Sequence, residues 1–303
     1  MFLLYYKMVN VMKSIILIVL DASTWKYIDK HLDELPTFKY LKRKYKHGIL
    51  HNNIQIYSQY AANFQYATGT IASSIALYTG KAKPRDFWTE KKPHQLDQRT
   101  RQHVKAPFIW ELIPNSIAIS AKYKLHNHNF PKIKFPSCKL TDVPFESFWI
   151  NIRKKTKILA DKSELILKNL HLNFFTVFLT ELDVPSHYLW REKVARRVWK
   201  NQKADPFFQR LTLITYYRDI DDLIKKVLPY LEKSLFIVCG NHGFDSYENI
   251  RRKIPSMRPQ GHPSITGEHD IDSIIITNMD LVKNLTEIFP MVLKYAKKEG
   301  MIK

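Results

Sequence analysis

Cysteine is nearly absent: Cys138 and Cys239 are the two in 303 residues. That excludes a disulfide-stapled scaffold. Cys239 lies in an apolar run and reads as a buried free thiol, a bridge to Cys138 being the alternative. Glycine is scarce as well, with 8 residues, and no Gly/Ser-rich linker, internal repeat or low-complexity tract divides the chain. Long hydrophobic runs are missing too, since no stretch approaches the roughly 20 apolar residues of a membrane helix. The opening MFLLYYKMVNVMK is broken by Lys7, Asn10 and Lys13 and lacks a small-residue cleavage site, so a cytoplasmic protein is expected. Acidic residues are few, 28 against 48 Lys and Arg, for a net charge of +20. Such an excess points to nucleic acid, an anionic membrane surface or an anionic substrate. Its clusters, at Lys42–Lys46, Arg153–Lys155 and Arg191–Lys200, form no basic arm. A solvated positive surface is the plainer reading.

Hydrophobic residues make up 45%, enough for a sizeable core. Continuous apolar runs at Ser14–Leu20, Asn173–Leu182, Ser234–Cys239 and Ser273–Thr277 suit strands buried on both faces of a parallel sheet. Ser116–Ser120 and Asn53–Tyr57 are weaker strand candidates. Leu211–Leu228, ending before Pro229, repeats apolar residues at helical spacing, and Glu164–Leu170 and Met291–Lys298 read as further helices. This alternation predicts an α/β fold, with helices on both faces of a mostly parallel sheet. One domain over residues 1–303 is expected. The polar regions 81–111 and 122–155 are read as loops or small cap insertions over one edge.

Polar residues sit just past the ends of the buried runs. Asp21 ends the first, Asp183 the second, and Asn241-His242 follows the third. Ligands of open α/β sheets bind at that carboxyl edge. Asp183 and His187 are four residues apart, with Pro185 between them suggesting a turn that folds both toward one ion. Gly267-Glu268-His269 offers another imidazole just before the last strand. Oxygen and imidazole donors together suit zinc, manganese or iron better than calcium.

In this order the motifs resemble the alkaline phosphatase superfamily, most closely its type I phosphodiesterase/nucleotide pyrophosphatase branch, from about Ser14 to Asn278. The resemblance rests on the strand ending at Asp21, the Thr70…Thr79-Gly80 spacing, Asp183-x-x-x-His187, Asn241-His242-Gly243 and Gly267-Glu268-His269. It implies a three-layer α/β/α sandwich and a metal-dependent phosphohydrolase working through a covalent phosphothreonine. Thr70, at the start of a short helix in YATGTIASSIALYTG, would be the nucleophile. Thr68 and then Ser73 are the alternatives, and plain helix capping is the bland one. Ser73 would donate to a phosphoryl oxygen, where the family commonly has an Asn. Two divalent cations, zinc or manganese, are implied. One would sit on Asp183, His187 and His269, the other on Asp21, Asn241 and His242 with Thr70.

Asn241 departs from the family's Asp-His-Gly pattern. It brings a carbonyl but no charge. The second ion then binds more weakly, or differs, or favours a more anionic substrate, or Asp245 supplies the missing carboxylate; a relative with little activity is the remaining alternative. His126 and His128 read as loop residues and His262 as a turn histidine. Trp25 and Trp190 are candidates for substrate stacking or for the core. The expected substrate is a small phosphorylated compound, nucleotides included. Sulfatase or phosphomonoesterase chemistry, and a basic nucleic-acid-binding relative without catalysis, are the other readings.

Overall fold

The computed structural model describes residues 14–52, 107–119, 146–201, 211–253 and 265–303. Among these, the strands are β1 (Ile15–Leu20), β2 (Lys46–His51), β3 (Ser116–Ile119), β4 (Phe174–Leu179), β5 (Leu235–Gly240), β6 (Gly243–Ser246), β7 (Gly267–Asp270) and β8 (Asp272–Thr277). The helices are α1 (Trp25–Ile28), α2 (Pro36–Lys44), α3 (Ile109–Leu112), α4 (Glu146–Asn169), α5 (Asp183–Leu189), α6 (Glu192–Asn201), α7 (Leu213–Leu231), α8 (Tyr247–Lys253) and α9 (Ile288–Lys298).

Six strands form one sheet in the order β2-β8-β5-β1-β4-β3. β5, β1, β4 and β3 run parallel, while β8 is antiparallel to β5 and β2 antiparallel to β8. β1 is buried along its whole length. Alternation sends Ile16, Ile18 and Leu20 to one face, where they meet Phe38 of α2, Trp149 of α4 and Leu223 of α7. Ile15, Leu17 and Val19 face the other side, against Ile109 of α3 and Phe289 and Val292 of α9. The result is the expected α/β/α sandwich with a mostly parallel sheet.

Several elements differ from the sequence reading. Residues 109–111 of the region 81–111, read as loop or cap, belong to α3, whose Ile109 is in the core. Residues 146–155, also read as part of a loop-like cap, are the first turns of α4, which runs on to Asn169. Trp149, Ile152, Thr156, Leu159, Ala160 and Ser163 form its buried stripe at helical spacing. Lys154 lies on its exposed face, while Lys155 reaches across to the buried Glu181. The bidentate pair of Arg153 with Asp219, at 2.6 and 2.9 Å, ties α4 to α7. The second difference is Pro229, which lies inside the last turns of α7 rather than beyond it. The third is β2, of which the sequence reading covers only Lys46, the end of a basic cluster. It is an edge strand with Leu50 alone fully buried, so it carries little apolar signal. The candidate strand at residues 53–57 lies outside the described residues.

The register sets up the site. β1 pairs Leu20 with Leu179 of β4 and with Gly240 of β5, so the three strands end level. β8 runs the other way, so its beginning reaches the same rim and delivers β7 there. β6 and β7 pair as a two-stranded ribbon at this rim, with Phe244 opposite His269. The ribbon is stitched to α5: Thr266 N–H donates to His187 O at 2.7 Å, and its hydroxyl donates to Tyr188 O at 3.0 Å.

Two outcomes follow from this packing. A Cβ on Gly267 would meet the Ser186 carbonyl at 2.3 Å and Trp190 Cβ at 2.8 Å, so α5 and β7 approach closely only because residue 267 has no side chain. Gly267→Ala is expected to cost about 1–3 kcal/mol by overpacking, read by urea denaturation. The N-terminus of α2 is capped from a distance. Asp221 of α7 accepts from Thr37 N–H at 3.1 Å and Phe38 N–H at 2.8 Å. Asp221→Ala leaves those buried donors without this acceptor and is expected to cost about 1–3 kcal/mol in the same assay, with Asp221→Asn costing less.

Candidate active site

Asp21 and Asn241 are the next residues after the last paired positions of β1 and β5, so they meet side by side. Asn241 Nδ2 donates to Asp21 Oδ1 at 2.7 Å. The chain leaves β1 through Ala22, whose φ of 60° is left-handed and unusual for alanine. His242 Nε2 lies 2.8 Å from the same Asp21 oxygen. Its other ring nitrogen is 3.1 Å from Gly243 O.

Asp183 and His187 lie one helical turn apart on α5, with Pro185 accommodated in its first turn. Helical i, i+4 spacing, rather than the expected turn, puts both on one face. His269 Nε2 approaches Asp183 Oδ1 at 3.0 Å and His187 Nε2 at 3.1 Å. Asp183 Oδ1 is 3.8 Å from His187 Nε2 and 4.0 Å from His242 Nε2. The structure therefore gathers Asp21, Asp183, His187, Asn241, His242 and His269 at one rim. The ligand atoms of Asp183, His242 and His269 lie within 4.8 Å of one another, as do those of His187, Glu268 and His269.

The electrostatics follow from crowding these groups out of water. Burial pushes the Asp183 carboxyl up, but the hydrogen bond from His269 and the nearby imidazoles hold it well below the usual carboxylate range. Burial pulls His187 down, against the attraction of Asp183. For His269 burial also works downward, but the hydrogen bond and charge of Asp183 overcome it and leave the ring raised.

The donor chemistry on the His269 side fits a divalent cation. His187 Nδ1 is 3.1 Å from Gly267 O, a carbonyl that can only accept. The proton is therefore assigned to Nδ1, and the Nε2 lone pair turns toward Asp183 and His269. Two ligand atoms about 2.0–2.1 Å from a tetrahedral zinc stand about 3.3–3.4 Å apart. The 3.0, 3.1 and 3.8 Å separations among Asp183, His187 and His269 bracket that spacing.

The sequence reading did not single out Glu268. It is buried, with Oε1 accepting from His269 N–H at 2.9 Å and lying 3.6 Å from His269 Nδ1. Its adjacency to His269 was the only available signal. Asp245 is not the substitute carboxylate. Strand alternation turns it to the opposite face of the ribbon from Phe244 and His269, where it accepts from Lys26 Nζ at 2.7 Å and Asn249 Nδ2 at 3.0 Å. Lys26 also binds the fully buried Asp270, which Lys253 reaches at 3.0 Å. Trp25 and Trp190 serve packing: Trp25 Nε1 donates to Gly48 O at 2.6 Å, and Trp190 packs on Tyr27 and Phe244. Thr70 and Ser73, with Thr68, His126, His128 and His262, lie outside the described residues.

The sequence model of the type I phosphodiesterase / nucleotide pyrophosphatase family matches residues 15–259. No curated protein sequence matches the chain. Among solved structures, phosphonoacetate hydrolase from Sinorhizobium meliloti 1021, in complex with phosphonoacetate, superposes with a TM-score of 0.53 at 10% identity, over 94% of this chain and 96% of that one. Murine ectonucleotide pyrophosphatase / phosphodiesterase 5 in complex with AMP gives 0.48 at 12% identity, over 94% and 95%. Alkaline phosphatase from the Antarctic bacterium TAB5 gives 0.45 at 12% identity, over 95% and 98%. At these identities the first likeness speaks for the fold, while the family match spans most of the sequence and Asp21, Asp183, His187, Asn241 and His242, ending before Glu268 and His269. The chain belongs to the type I phosphodiesterase / nucleotide pyrophosphatase family and is a hydrolase acting on phosphoric ester bonds.

Proposed function

We propose that the protein is a divalent-cation-dependent phosphodiesterase or nucleotide pyrophosphatase. The observation that carries this reading is the meeting of Asp183 with the Nε2 atoms of His187, His242 and His269 at the carboxyl rim of the sheet. Asp183, His187 and His269 would hold one ion, and Asp21, Asn241 and His242 a second, zinc or manganese by their donor chemistry. A bound divalent cation would offset charge on the phosphoryl oxygens and on the leaving oxygen.

Thr70 is the proposed nucleophile, by its place in the family's order of motifs. Its oxygen attacks phosphorus as the bond to the leaving alcohol or phosphate breaks, and water then cleaves the resulting phosphothreonine. Ser73 is proposed to donate a hydrogen bond to a phosphoryl oxygen. The net charge of +20 favours approach of an anionic substrate, a small phosphorylated compound such as a nucleotide. Selectivity is assigned to the parts of regions 81–111 and 122–155 that precede α3 and α4, within a single domain. Cytoplasmic residence belongs to the same proposal and accords with Cys239, a buried free thiol whose pKa burial drives up.

The test is hydrolysis of bis-p-nitrophenyl phosphate, p-nitrophenyl phosphate and p-nitrophenyl sulfate side by side. The diester is expected to turn over fastest. A chelator should abolish that turnover and zinc should restore it. Thr70→Ala should lower kcat by about 10³-fold or more. Diester hydrolysis that survives both chelation and Thr70→Ala would sink the reading.

A further inference from the structure

Position 241 leaves the rim short of negative charge. Of the six residues gathered there, Asp21 and Asp183 alone are carboxylates, because the Asn241 amide is neutral. Asp245 does not make up the difference, since it is turned to Lys26.

Glu268 is placed to do so. It stands opposite Asp245 in the register of β6 with β7, so its side chain starts on the lysine-bearing face of the ribbon. The carboxylate then curls back along the strand. Oε1 accepts from His269 N–H at 2.9 Å and lies 3.6 Å from His269 Nδ1. The second distance is too long for a hydrogen bond, but a charge acts strongly over it. A Glu268 oxygen and one ring nitrogen each of His187 and His269 lie within 4.8 Å of one another. Glu268 is 5% exposed, so water screens it little. A buried carboxylate is costly unless positive charge lies near it. Asp245 and Asp270, its neighbours on the ribbon, meet Lys26 and Lys253. Glu268 closes on two imidazoles that would hold an ion.

We propose that Glu268 supplies the negative charge that Asn241 lacks, strengthening cation binding from behind the His187 and His269 rings. It acts through those rings and is a positioning residue. The inference rests on the metal-dependent reading above and adds a residue to it.

The full chain is stripped with chelator, and its zinc affinity is measured by competition with a chromophoric chelator. The stability of the zinc-free protein is read by urea denaturation. Glu268→Gln keeps the shape and the acceptor for His269 N–H but removes the charge. It is expected to weaken zinc binding about 10–100-fold, the usual effect of losing a group behind a metal ligand. The zinc-free protein is expected to stay at least as stable as the wild type, since a buried charge has gone. Adding Asn241→Asp to Glu268→Gln is expected to recover most of the lost affinity. Wild-type zinc affinity in Glu268→Gln overturns the inference. Weakened binding together with a less stable zinc-free protein marks a structural role and overturns it too, as does a loss that Asn241→Asp fails to recover. A wild type that binds no zinc removes the metal-dependent reading itself. Where Glu268→Gln does not fold, a crystal structure of the zinc-loaded wild type decides. A Glu268 carboxylate beside the two rings upholds the inference, and one swung over to Lys26 overturns it.

Discussion

The level ends of β4, β1 and β5 are the constraint on which this molecule depends. Because Leu20 pairs with both Leu179 and Gly240, the first polar residue after each strand emerges at the same height. A slip of one residue in either pairing would turn every side chain of the slipped strand to the opposite face. It would also separate Asp21 from Asn241. The apolar runs specify that register strongly, since β1, β4 and β5 are buried along their lengths. The hydrophobic sheet thus does the positioning, and the polar rim inherits its precision.

The ribbon of β6 and β7 needs its own support, because it extends past the main sheet. Its inner face is closed by Phe244, whose ring lies 4.8 Å from that of His187 and 5.3 Å from that of His269. Its outer face is held by two lysines on two carboxylates, Lys26 and Lys253 with Asp245 and Asp270. Asp270 has no exposure, so leaving it without a cation would bury an uncompensated charge, a loss of several kcal/mol. Lys26, on α1 five residues after Asp21, thereby joins the β1 exit to the strand that carries His269.

Much of this was legible from residue order. Strands buried on both faces announce themselves as apolar runs, and the spacing of Asp183, His187, Asn241, His242 and His269 carried the family resemblance that the family match bears out. Less legible were elements with mixed surfaces. β2 buries too little to show a pattern, and the first turns of α4 blur theirs, with Ile150 exposed between the buried Trp149 and Ile152. The behaviour of Asn241 was out of reach for another reason. Sequence shows that a charge is missing, but only the pairing of β1 with β5 shows that the amide donates to Asp21, and only the ribbon shows Asp245 turned away to Lys26. Glu268 escaped notice because nothing in its type separates a buried carboxylate from a surface one.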